Sequence, residues 1–126
     1  MQVKNYILGE WVSGKGEEIN HFHSITGEHI SSTSSEGIDY KAILQYGREK
    51  GSSSLRKMTF QQRGEMLKSL ALYLHKRKGI FYELSKATGA TKIDSWIDIE
   101  GGIGNLFAHA SLRRQFPDLP YFVDGS

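Results

Sequence analysis

Histidines are the first residues of this chain whose type and spacing suggest chemistry. His21 and His23 are two positions apart, and on a strand both imidazoles would lie on one face because side chains alternate. Together with His29 they could form a three-histidine zinc site. The turn predicted at Thr26-Gly27, however, places His29 opposite Ser24 and on the other face of the hairpin. Since zinc sites need converging ligands, no metal site is predicted.

Closely spaced glycines form a second group that could carry chemistry. Gly14 and Gly16 fall in a predicted hairpin loop. A helical pattern is interrupted by Gly101, Gly102 and Gly104, each of which lowers helix stability by about 1 kcal/mol relative to alanine. Neither group completes the G-x-G-x-x-G sequence that binds dinucleotide phosphates between a strand and a helix. Close packing of another helix is the favoured interpretation of the helical glycines, and lining of a substrate channel is the alternative.

The carboxylates and the absence of cysteine limit the chemistry further. Asp94 and Asp98 are four residues apart and share a helix face, but no nucleophile or paired base accompanies them. The sequence contains no Cys, which excludes disulfides, thiolate metal sites and a Cys nucleophile within these 126 residues. No catalytic, cofactor-binding or metal-ligating residue is therefore predicted in this chain.

Composition indicates a globular domain without a nucleic-acid or membrane partner. The 16 Lys and Arg residues nearly balance the 14 Asp and Glu residues, and a net charge of +2 is too small to indicate nucleic-acid binding. No apolar run approaches the roughly 18 residues that span a bilayer, and no signal peptide is visible. A soluble cytoplasmic protein that forms one domain, or part of one, is expected.

The N-terminal part of the chain has the pattern of β structure over residues 5–35. Asn5–Val12 is rich in β-branched and aromatic residues. Two further strands, at about 18–24 and 28–33, flank the turn at Thr26-Gly27. The apolar period then becomes helical. The predicted fold class is mainly α with an N-terminal β-hairpin region, or α+β in isolation.

Four helices are predicted between residues 37 and 116, followed by an irregular tail over 117–126. The second has a T-x-x-Q capping box, which is typical of a helix start. Apolar spacings of three and four residues define the buried faces. The helices are predicted to begin near Ile38, Thr59, Gly79 and Thr91, and the core is predicted to contain Leu67, Leu70, Leu74, Leu84, Trp96 and Ile103.

The whole chain resembles the aldehyde dehydrogenase superfamily, most specifically over residues 87–107. Tyr6–Gly14 is similar to the I-N-G-x-W strand with which these enzymes begin, although Leu8 stands where Asn is usual. Ala87–Lys92 has A-T-G-A-T-K in place of the family's E-T-G-K motif. That segment and the D-S-W-I-D-I-E-G-G-I-G of residues 94–104 resemble the aldehyde dehydrogenase half of bifunctional phenylacetate-degradation enzymes, which open and oxidise an oxepin-CoA ring.

The resemblance implies that these residues are the N-terminal part of the cofactor-binding domain, a truncated piece of the α/β aldehyde dehydrogenase fold. The full-length enzyme would use NAD or NADP to oxidise a ring-opened CoA-thioester semialdehyde to the acid. Its catalytic Cys, general-base Glu and cofactor site would all lie outside this chain, which alone would be inactive. By the same resemblance, the fourth helix would line the substrate channel of the full-length enzyme through Ser95, Ile99 and Gly102.

The implied partners are the remainder of the parent enzyme and further copies of this chain. Removing the domain that covers this region would expose apolar surface, and a symmetric dimer is then the favoured assembly. A different interpretation stays open. The chain could be a non-catalytic helical module that acts by self-association or by binding a partner.

Overall fold

The computed structural model describes residues 1–125, which are 56% helical with a small strand region. The chain divides into two compact units. The first unit contains Met1–Ser52 and Ala87–Gly89, and the second contains Ser53–Lys86 and the chain from Ala90 onward. The expectation that these residues form a single partial domain of a larger protein stays a prediction.

Five short strands form two small sheets in the first unit. A two-stranded antiparallel sheet joins β2 to β3, and a three-stranded sheet has the order β1-β5-β4. In the second sheet β4 and β5 are antiparallel, whereas β1 runs parallel to β5. The strands are β1 (Gln2–Val3), β2 (Asn5–Ile7), β3 (Glu10–Val12), β4 (Ile19–Phe22) and β5 (His29–Thr33).

The strand predicted over Asn5–Val12 is instead a hairpin of its own. Leu8 and Gly9 both have positive φ values, of 52° and 89°, and they reverse the chain between β2 and β3. Two consecutive residues with positive φ are typical of the tight turns that join antiparallel strands. The prediction of one strand was wrong because Leu8 is an uncommon residue at such a position.

The hairpin of β4 and β5 turns at Gly27, whose φ of 73° favours glycine. The pairing is irregular after His21, so that Phe22 rather than Ser24 is the partner of His29. The predicted register of this hairpin was therefore wrong. Ser24 instead binds Ala87, since its amide and its hydroxyl both donate to the Ala87 carbonyl oxygen, at 2.9 and 3.0 Å.

The helix predicted to begin near Ile38 is α-helical over seven residues. Asp39 caps helix α1 (Tyr40–Tyr46) by accepting a hydrogen bond from the Ala42 amide at 2.9 Å. The chain then continues as a π-helix over Gly47–Ser52. Glycines at positions 47 and 51 weaken the α-helical preference at both ends of this segment.

Helices make up most of the second unit. The prediction of two separate helices in the region of α3 was wrong. Separate helices were expected to begin near Thr59 and Gly79, but α3 runs without a break through Gly79. Its start has the predicted capping box, in which the Gln62 amide donates to Thr59 Oγ1 at 3.2 Å and Gln62 Oε1 accepts from the Thr59 amide at 2.9 Å. The elements are α2 (Ser53–Lys57), α3 (Phe60–Ala87), α4 (Lys92–Ser111) and a 3₁₀ turn over Leu112–Gln115.

Of the six predicted core residues, one is buried, two (Leu67 and Leu74) are half-buried and three are exposed. Ile103 is buried, with 6% of its surface exposed. Three other predicted core residues, Leu70, Leu84 and Trp96, are exposed by 45%, 62% and 58%. On α3 the residues that turn inward are Gly64, Leu67, Ala71 and Leu74, which recur at steps of three and four.

Among the described residues, no helix is both long enough and apolar enough to cross a membrane.

Candidate functional site

Ser95 lies where α3 and α4 contact each other, and its hydroxyl has hydrogen-bond partners on both sides of this contact. It is 5% exposed and lies in the first turn of α4. Its Oγ donates to the Thr91 carbonyl oxygen at 2.9 Å and is 2.8 Å from Ser85 Oγ on α3. The start of α4 is fixed by a capping box in which Thr91 and Asp94 exchange hydrogen bonds. Ser95 therefore acts in this chain as a polar link between two helices.

The other two predicted channel residues have different surroundings. Ile99 is half-buried, whereas Gly102 is exposed. A Cβ placed on Gly102 would meet no atom within 4 Å, and the same holds for Gly101 and Gly104. The interpretation that these glycines admit a closely packed helix is therefore wrong for the part of the chain that the structure describes. The lining of a substrate channel in a longer enzyme stays a prediction.

The close approach of two helices occurs at Gly64 instead, which the sequence analysis missed. A Cβ on Gly64 would lie 2.5 Å from Arg113 Cδ and 2.9 Å from the Ala110 carbonyl oxygen. Arg113 is held over this position by an ion pair with Glu65 at 2.6 Å and by a hydrogen bond to Ala110 O at 2.7 Å. A glycine inside an otherwise strong helical pattern was the signal that could have found this contact.

A polar cluster of Lys78, Tyr82 and Glu100 lies between α3 and α4, and it was also missed. Lys78 Nζ donates to Glu100 Oε1 at 2.6 Å, and the Tyr82 hydroxyl donates to the same oxygen at 3.3 Å. The hydrogen bond from Lys78 is the main cause that lowers the pKa of Glu100 below its ordinary value of 4.5. Desolvation, followed by the Glu100 charge, raises the pKa of Tyr82 above 10.0. The cluster thus holds a carboxylate, an ammonium group and a neutral phenol.

The three N-terminal histidines bind their own neighbours. His21 Nε2 lies 2.8 Å from Thr33 Oγ1, and His29 Nε2 lies 3.2 Å from Asn20 Oδ1. His23 Nδ1 accepts hydrogen bonds from two amides of the following turn, at 3.2 and 3.3 Å. Within residues 1–125, no three side chains of the kinds that ligate metals form a group that could hold an ion.

Comparison with known proteins relates this chain to part of a characterised enzyme. No protein-family model matches the sequence. Over 111 residues, or 87% of this chain, the sequence is 31% identical to a 3,4-dehydroadipyl-CoA semialdehyde dehydrogenase from Aromatoleum evansii. The match spans 22% of that relative's length. The chain is thus a weak homologue of part of an aldehyde dehydrogenase-type enzyme.

Proposed function

We propose that this chain is one segment of an NAD- or NADP-dependent aldehyde dehydrogenase that oxidises a CoA-thioester semialdehyde to the acid. The observation that carries the proposal is the 31% identity, over 87% of the chain, to an enzyme named for such a substrate. The proposal extends to the phenylacetate-degradation branch of the family, on the strength of Ala87–Lys92 and residues 94–104. The remainder of the enzyme is then the principal partner of this chain.

The proposed reaction needs groups of three kinds. A thiolate attacks the aldehyde carbon, a base activates the water that releases the acid, and the nicotinamide accepts the hydride. This chain has no Cys that could supply the thiolate, so residues 1–126 alone are expected to be inactive. Its part in the reaction is to supply α3 and α4 as a scaffold, on which Ser95, Ile99 and Gly102 would border the substrate channel.

A second candidate function rests on the exposed surface of α3. Five apolar residues on this helix recur at steps of three, four or seven, and each is more than two-fifths exposed. We call them the α3 apolar stripe: Met66, Leu70, Tyr73, Ile80 and Leu84. Apolar surface in such a continuous row favours a partner. A non-catalytic module that associates through this stripe is therefore the alternative to an enzyme segment.

A complementation experiment separates the two functions. The dehydrogenase from Aromatoleum evansii would be prepared without the segment that this chain matches, and purified residues 1–126 would be added to it. An enzyme segment is expected to bind the shortened dehydrogenase and to restore reduction of NAD or NADP with the semialdehyde substrate. A module that acts by self-association would not co-elute with the shortened enzyme and would restore no activity, whereas dimers of the chain alone are expected in both cases.

A further inference from the structure

An open cavity of about 350 Å³ lies beside the contact between α3 and α4 in the second unit. It is lined by Tyr82 from α3 and by Lys92, Ile93 and Trp96 from the first two turns of α4. Small-molecule sites commonly enclose roughly 300–1,000 Å³ and have mainly apolar walls with few polar groups. The cavity has the size and the lining of a site for a small ligand.

The wall of the cavity is formed mainly by two apolar side chains that are free to contact a ligand. Trp96 is 58% exposed and Ile93 is 70% exposed. A flat ring lying against an indole and a branched aliphatic side chain would bury apolar area on both surfaces. The shape and the chemistry of this wall therefore favour a planar ring.

The part of the lining that α3 contributes, Tyr82, is already held in place without a ligand. The Tyr82 hydroxyl donates to Glu100 Oε1 at 3.3 Å, and the same oxygen accepts a 2.6 Å hydrogen bond from Lys78. Both bonds cross between the helices, so the Tyr82 ring is fixed relative to α4. Because this part of the lining is held in advance, a ligand would order few additional side chains on binding.

The charged side chain that lines the cavity is a cation, which favours an anionic ligand. The Glu100 carboxylate is paired with Lys78. The Asp94 carboxylate accepts hydrogen bonds from the Thr91 amide and hydroxyl, at 3.3 and 2.6 Å. Lys92 is the charged residue among those that line the cavity. It forms no ion pair with any residue that the structure describes. It also lies at the start of α4, where the helix dipole is positive.

We propose that this cavity binds a planar aromatic ring that carries an anionic group, with the ring against Trp96 and Ile93 and the anion at Lys92. An aryl carboxylate and a nucleotide both have this chemistry. The site goes beyond the proposed dehydrogenase function, because it needs neither the missing thiolate nor the rest of an enzyme.

The test uses ¹⁵N-labelled residues 1–126 and the NMR signals of the two indole N–H groups. Trp96 reports on the cavity, and Trp11, which lies in β3 of the other unit, serves as an internal control. The probes are 1-naphthoate, the neutral 1-naphthalenemethanol and adenosine 5′-monophosphate. A saturable shift of the Trp96 signal is expected with the anionic probes while Trp11 does not move. The affinities for 1-naphthoate and for adenosine 5′-monophosphate are then compared, and the tighter binder shows whether the site prefers an aryl carboxylate or a nucleotide.

Three variants locate the binding energy. Lys92→Met is expected to weaken naphthoate binding about fivefold and to leave the neutral probe unchanged. Ile93→Ser should weaken both probes, whereas Ile97→Ser is the matched control, because Ile97 is exposed on the same helix but does not line the cavity. The dispersion of the remaining signals shows in the same spectra that each variant is folded.

Several results would overturn the proposal. One is a Trp96 signal that shows no saturable shift with any probe. Another is an equal shift of the Trp11 and Trp96 signals. A third is equal affinity for 1-naphthoate and the neutral 1-naphthalenemethanol. An effect of Ile97→Ser as large as that of Ile93→Ser would also contradict it.

Discussion

At the scale of single residues, two glycines of α3 have opposite surroundings. A Cβ on Gly64 would press against Arg113 and the Ala110 backbone, whereas a Cβ on Gly79 would meet no atom within 4 Å. Gly79→Ala is therefore expected to raise the free energy of unfolding by about 1 kcal/mol, through helix propensity alone. Gly64→Ala is expected to lower it by about 1–3 kcal/mol, because overpacking outweighs that gain.

Urea unfolding followed by circular dichroism measures both changes on the same helix. Gly79→Ala serves as the control for the propensity of alanine. A Gly64→Ala variant that is as stable as Gly79→Ala would show that α3 and α4 do not approach each other at this position.

The Glu100 carboxylate predicts a pH dependence of stability. Its pKa is lower in the folded protein than its ordinary value of 4.5, chiefly because Lys78 donates a hydrogen bond to it. The folded state therefore binds this proton less tightly than the unfolded state does. The stabilisation is present above pH 4.5 and is lost as the pH falls through the folded-state pKa.

Thermal unfolding between about pH 6 and pH 3 tests this dependence. The melting temperature of the wild-type chain should fall more steeply below pH 4.5 than that of Glu100→Gln, which has no carboxyl group to titrate. Parallel curves for the two proteins would mean that the bond from Lys78 does not stabilise the fold in solution.

At the scale of elements, the sequence predicted helix starts better than helix packing. The caps at Thr59 and Thr91 depend on residues three positions away, so local sequence defines them. The packed face of α3 could not be predicted in the same way, because the helix has two adjacent apolar stripes and both have helical spacing. Only the position of α4 decides which stripe is buried.

Long-range contacts limited the prediction of the sheets and of the site for the same reason. The pairing of the two-residue strand β1 with β5 joins residues about thirty positions apart and has no local signal. The bonds from Lys78 and Tyr82 to Glu100 likewise depend on how two helices meet. The glycines at 101, 102 and 104 were visible in the sequence, but their surroundings were not.

The packing of α3 and α4 predicts unequal effects of truncating two core candidates. Ile103→Ala is expected to lower the free energy of unfolding by about 2–5 kcal/mol, since Ile103 is buried. Leu70→Ala is expected to lower it by less, because Leu70 is 45% exposed. Urea unfolding of the two variants measures the difference. Equal losses would show that Leu70 is covered in solution, which would point to a partner on the α3 apolar stripe.

At the scale of the whole molecule, the exposed apolar residues predict self-association of the isolated chain. The α3 apolar stripe is the surface that we expect to pair, in a symmetric dimer. Ile80→Glu should shift light scattering towards the monomer, because it places a charge within the stripe. Ile19→Glu is the matched control, since Ile19 and Ile80 are both 67% exposed but Ile19 lies on β4.

Two results would contradict this assembly. One is a wild-type chain that is monomeric at high concentration. The other is dissociation by Ile19→Glu as complete as that by Ile80→Glu, which would assign the contact to another surface.

The central proposal, that this chain is a working segment of an aldehyde dehydrogenase, is tested most directly in a single polypeptide. The matched segment of the Aromatoleum evansii dehydrogenase would be replaced by this chain, and the initial rate of NADH or NADPH formation would be measured with its semialdehyde substrate. We expect the hybrid to retain kcat/KM within about tenfold of the parent, a loss of no more than about 1.4 kcal/mol in transition-state stabilisation. A hybrid that is folded and binds the cofactor but forms no reduced nicotinamide would contradict the proposal.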